Sequence, residues 1–274
     1  MPPLDMDYVK VKKDEARALP LGRIPKGKRQ FLKSVLLSMK QLLGLVHGAR
    51  TSIHLDHMES AYMLLYRALR GGMAVPVIER LDARLNEIYC AAACITLILK
   101  TFICYHRRLH FPKTRKWLLR EDKESNYRRV LYVISEKAVL ESVQFNLHSN
   151  ITIWEVLHLT GLATSDNESQ LKAVVKKLYE HVEELPLVLE SIMQFPVEFA
   201  FACYYFALGQ EAVPLGIAKE LGISGSSLEL HDATMYVEIA IKKVGHKQAL
   251  VQVLEPPVEA EVEQEVAKAI KSFV

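Results

Sequence analysis

Few residues in this chain stand at spacings that chemistry requires. His54, Asp56 and His57 have the types that hold zinc, two imidazoles and a carboxylate. They fall where a helix is expected to start, however, and a carboxylate there suits the positive end of the helix dipole. They therefore read as capping and surface groups. Cys90 and Cys94 would share one helix face and could hold a metal. Yet the four cysteines, Cys90, Cys94, Cys104 and Cys203, all sit in apolar helical patterns, with no C-x-x-C pair and no histidine at zinc-finger spacing. They read as small buried apolar residues, a usage that fits a reducing compartment. Gly222-Ile223-Ser224-Gly225-Ser226-Ser227 lacks the lysine and the preceding strand of a phosphate loop. There is no G-x-S-x-G elbow and no H-E-x-x-H helix. No catalytic residue, metal or cofactor is expected, and the chain reads as a protein that is not an enzyme.

Two charged residues remain, and their surroundings are more telling than their types. Lys100 ends an apolar, small-residue run, Ala91-Ala92-Ala93-Cys94-Ile95-Thr96-Leu97-Ile98-Leu99-Lys100. Glu136 opens Glu136-Lys137-Ala138-Val139-Leu140-Glu141-Ser142-Val143-Gln144-Phe145-Asn146-Leu147, which reads E-x-x-V-L-x-x-V-x-F-x-L. An ammonium offers three donors to carbonyl oxygens, and a carboxylate accepts from backbone N–H groups. Such a pair has the groups needed to meet main chain. The bland alternative is that the two pair with each other as a surface bridge worth at most about 1 kcal/mol.

The elements that must carry these residues are helices. The chain has 274 residues, half of them hydrophobic, with only 12 glycines and 11 prolines, so it can bury a large core. Phe31, Val35, Leu36, Met39, Leu42 and Leu43 recur at helical steps. Further helices are expected at about 55–70, stopped by Gly71-Gly72, then 85–104, a short one at 115–120, and 126–143 with Val130, Val133, Ile134 and Leu140 on one side. In the second half they are expected at 153–162, 170–185, 197–209, 214–221 and 228–244, with Pro186, Pro196 and Pro214 between them. Residues 1–25 read as an extended or partly helical arm, and 255–274 as an acidic amphipathic helix. The first residues lack the long apolar run of a secretory signal, so the glycosylation patterns at Asn150 and Asn167 are expected bare. The apolar stretch 88–104 carries Lys100 and reads as a buried helix, not a membrane span.

Ala93–Leu99 lines up with Ala202–Leu208, an offset of 109 residues. Both are apolar nearly all round and rich in small residues, so each must be surrounded by other helices. That implies two all-α units: 26–147 and 151–250, with a linker through His148-Ser149-Asn150, an arm at 1–25 and an extension at 251–274.

In this order and spacing the chain resembles a cyclin with two tandem five-helix boxes. The run at 91–100 is similar to the family's third helix with its terminal Lys, and the run at 136–147 to its fifth helix with its Glu. Ala61-Tyr62-Met63-Leu64-Leu65-Tyr66-Arg67-Ala68-Leu69 resembles the second helix, ending in an Arg. Phe195-Pro196-Val197-Glu198-Phe199-Ala200-Phe201-Ala202 resembles the proline-started central helix of the second box. The resemblance implies a subunit that grips the small lobe of a cyclin-dependent protein kinase and pushes its catalytic helix into the working position. Lys100, Glu136, Lys137 and Phe102 would make the kinase contact, and Arg67 and Phe145 would be structural. After Lys100 the family usually carries acidic residues; here Thr101-Phe102-Ile103-Cys104 stays apolar. The Met-Arg-x-Ile-Leu-x-x-Trp signature is missing, and Arg29-Gln30-Phe31-Leu32 begins a destruction-box pattern that it does not complete. These departures lean toward a transcription-type or specialised cyclin, in nucleus or cytoplasm, with no membrane partner.

Two other readings stand beside it: a cyclin-fold scaffold that binds without activating, and an adapter like the core of transcription factor IIB, which holds DNA. A net charge of +3 argues against the DNA reading, so nucleic acid is not an expected partner; the basic loop at 106–116 keeps it in view.

Overall fold

Small side chains decide how this molecule packs. The computed structural model describes residues 5–18, 24–48, 55–103, 125–147, 150–184, 186–209, 215–224 and 227–242. Among them there are eleven helices and no strand. They are α1 (Met6–Ala18), α2 (Lys26–Gly48), α3 (Leu55–Arg70), α4 (Ala83–Ile103), α5 (Ser125–Ser142), α6 (Ile153–Leu159), α7 (Glu168–Glu184), α8 (Leu187–Gln194), α9 (Pro196–Leu208), α10 (Leu215–Glu220) and α11 (Leu228–Lys242). The all-α class read from the sequence is the class observed.

The two apolar runs are buried as expected. Every residue from Cys90 to Leu99 is buried, and α4 lies among α2, α3 and α5. Every residue from Pro196 to Cys203 is buried, and α9 lies among α6, α7 and α8. Alanine and cysteine at these positions let neighbouring backbones come close. Cys90, Cys94 and Cys203 are free and buried; Cys104 lies outside the described residues. On α2 the buried residues include Leu32, Val35, Leu36, Met39, Leu42 and Leu43, while Phe31 is only partly covered.

Helix α3 has the widest set of neighbours among the described helices. It packs on α2, α4 and α5 and also on α6, α7 and α8. Its end meets the end of α5 without clearance: a Cβ on Gly71 would lie 2.0 Å from the Ser142 carbonyl oxygen. Only glycine permits that approach. Lys28 Nζ closes the same end by donating to Leu69 O at 3.2 Å and Met73 O at 2.7 Å. The described residues up to Ala240 form one compact unit.

One element differs from the sequence reading. Helix α8 was not expected at all: it fits eight residues between Pro186 and Pro196, a span too short to display a period. The arm contains a regular helix, α1, opened by Asp5 Oδ1, which accepts from Tyr8 N at 2.9 Å. It lies against α6, α8 and α9. The expected helix at 115–120, the linker residues His148 and Ser149, and the segment 251–274 lie outside the described residues. No single helix among the described residues is long and apolar enough to cross a membrane; α8 and α9 pass that test only as a pair bent by 103°.

Candidate functional site

The last turn of α4 and the middle of α5 bring Lys100 and Glu136 together. The geometry follows from the burial pattern of α5. Leu131, Tyr132, Ser135 and Val139 face inward, which rolls Glu136 to the rim beside α4. Lys100 Nζ donates to Glu136 Oε1. The Tyr132 hydroxyl donates to the same oxygen, and Thr96 Oγ1 lies 3.3 Å from it and bonds the Tyr132 hydroxyl. The ammonium also sits 5.9 Å from the centre of the Tyr132 ring. Glu136 is 13 % exposed and Lys100 40 %. The carboxylate is thus held at the floor of the site, and the ammonium reaches over it into solvent.

The exposed face of α5 carries apolar residues as well as charged ones. Val130, Val133 and Ile134 do share one side of α5, but it is the outer side: they are 54 %, 51 % and 41 % exposed. Lys137, the next candidate, is well exposed and lies 3.6 Å from Glu141 one turn on. The side chain of Phe102 lies outside the described residues. Single apolar side chains on a surface are unremarkable; here three share one exposed helix face.

The two residues expected to be structural part company. Arg67 is half-buried and donates from Nη2 to Asn146 O at 2.8 Å, tying the end of α3 to the turn that follows α5. Burial pulls its guanidinium below the ordinary arginine value. Its partner is a backbone carbonyl. Phe145 is exposed and stands with Gln144 in the left-handed region, at φ 60° and 52°. Its amide closes α5 by donating to Leu140 O at 2.8 Å. Its backbone therefore ends the helix while its ring faces water.

Three buried carboxylates escaped the sequence reading. Glu59 on α3 accepts from the Trp154 amide at 3.0 Å, at the first turn of α6. Glu183 on α7 accepts from the Tyr62 hydroxyl at 2.8 Å and from Lys40 at 2.7 Å. Burial raises its carboxyl above the ordinary value, with Lys40 and Tyr62 pulling the other way. Glu198, at the start of α9, lies 2.6 Å from Arg17 and 3.7 Å from Lys13 of α1. Lys13 also donates to Leu221 O and, at 3.4 Å, to Gly222 O. Burial lowers its ammonium despite Glu198. A signal was present: a glutamate inside the apolar run Phe195–Ala202 cannot stay charged without a partner.

His57 is turned inward, against the surface reading; His54 and the side chain of Asp56 lie outside the described residues. Among the described residues no three His, Cys, Asp or Glu side chains are grouped to hold a metal. No family model, no curated protein and no solved structure matches the chain.

Proposed function

We propose that the chain is a cyclin-like regulatory subunit: it binds a cyclin-dependent protein kinase and activates it by repositioning the kinase's catalytic helix. In this reading 26–147 is the first cyclin-like bundle, with α4 at its centre, and 151–250 the second, with α9 at its centre. The observation that carries the proposal is the rim site. Lys100 and Glu136, 36 positions apart in sequence, meet at one edge, as the surface-bridge alternative also expects, and α5 carries the exposed Val130, Val133 and Ile134 as well. A helix docked there would cover the apolar stripe and meet the ammonium and carboxylate with its end groups; Lys137 and Phe102 would extend the contact.

The physics needed is a population shift. A subunit that fits only the active arrangement of the kinase helix favours that arrangement by its differential affinity. Phosphoryl transfer then uses the kinase's own lysine–glutamate pair, and this chain supplies no reacting group.

A second reading has one observation in its favour. Glu136 is engaged inside the molecule by Lys100, Tyr132 and Thr96. A site so satisfied suits a scaffold that holds a partner without reshaping it. Affinity purification followed by a kinase assay separates the two. Activation predicts a co-purified kinase whose activity falls with Lys100→Ala and with Glu136→Ala, each weakening binding by about 2 kcal/mol. A bound kinase that stays inactive selects the scaffold. Salt-sensitive DNA binding in place of a kinase would select the adapter reading.

A further inference from the structure

Away from the rim site, where α2 and α3 meet the start of α8, the surface opens into a groove of about 200 Å³. Ile24, Leu32, Pro186 and Leu187 make its walls. The space suits one large aliphatic or aromatic side chain.

Its charged groups all point the same way. Arg29, Gln30 and Lys33 line it, and no acidic residue is among its described lining residues. Arg29 donates from Nε to Ile24 O at 3.3 Å. Neither cation has an ion-pair partner among the described residues. At the back, the Tyr66 hydroxyl is buried with the Glu190 carboxylate beside it. Burial and a hydrogen bond to Glu190 push that phenol far above its ordinary value, so it keeps its proton. An apolar slot rimmed by two cations that have no ion-pair partner among the described residues is complementary to an apolar side chain with carboxylates beside it.

We propose that this groove binds a peptide segment of a partner protein in which one large apolar residue is flanked by acidic residues. The site is separate from Lys100 and Glu136 and does not depend on the kinase reading. A partner held here would be tethered to the chain while the rim site is engaged elsewhere.

The test uses the full chain and three labelled peptides, followed by fluorescence anisotropy. The first has a leucine between runs of glutamate, the second an alanine in place of that leucine, the third lysines in place of the glutamates. The first should bind, the second about tenfold or more weaker, and the third not at all. Lys33→Glu breaks no internal contact among the described residues. It should weaken the first peptide about tenfold or more with an unchanged helical spectrum and Tm. Leu187→Glu should do the same from the apolar wall. Equal binding of the leucine and alanine peptides, binding indifferent to Lys33→Glu, or no binding of the first peptide at millimolar concentration would each overturn the proposal.

Discussion

Glu183 shows how a buried carboxylate makes stability depend on pH. Its folded pKa is raised, with burial the largest cause, so the folded chain keeps a proton that the unfolded chain has released. Stability therefore falls as pH rises from the ordinary carboxylate range through the folded pKa. Urea unfolding of the wild type and of Glu183→Gln across that window should show this slope in the wild type and its loss in the variant. The Lys100–Glu136 pair is different, because Lys100 is 40 % exposed. A double-mutant cycle on the isolated chain should give a coupling of about 1 kcal/mol or less. A much larger coupling would mean that the pair exists to hold α4 to α5. These two residues were legible because each stands out against an apolar helical run. Tyr132 and Thr96 were not, since a tyrosine and a threonine inside a helix look like any other residues until the fold faces them.

At the scale of elements, glycine and charge fix what periodicity leaves open. Gly71 lets the ends of α3 and α5 touch. Gly71→Ala should cost about 1–3 kcal/mol in chemical denaturation, because the added methyl meets backbone and not a flexible side chain. Helix α1 is the opposite case. It buries only Val9 and Ala16 among its apolar residues, and its position is set by Lys13 and Arg17 on Glu198. Thirteen residues are too few for a helix that lasts alone. In Glu198→Gln, amide exchange in 6–18 should accelerate while that of α4 is unchanged. If both accelerate together, α1 is part of the cooperative core. The long helices were visible in the sequence because α2 through α5 and α7 repeat apolar residues over several turns. Helix α8 was invisible because its prolines read as punctuation and its eight residues never complete a pattern. The partner of α1 was equally hidden, since no local rule links Lys13 to a glutamate 185 positions away.

The whole molecule is organised by helix α3, which joins the neighbours of α4 to the neighbours of α9 through Glu59 and Tyr62. Glu59→Ala should lower stability by about 1–3 kcal/mol, leaving the Trp154 amide without its acceptor. In a Trp117→Phe background, the Trp154 fluorescence and helical-signal transitions should still coincide. The paired central helices, 109 residues apart, were legible as a repeat of composition. The face that a partner would use was not, because Val130, Val133 and Ile134 have the spacing of a core stripe and lie outside. The central claim is that this outer face, with Lys100 and Glu136, selects the active shape of a protein kinase. The most direct measurement is the phosphoryl-transfer activity of the kinase that co-purifies with the chain, compared with the same kinase beside the Lys100→Ala, Glu136→Ala double variant. The account predicts an active wild-type complex and a loss of activity in step with lost binding. A complex as active with both residues removed, or no kinase bound at all, would contradict it.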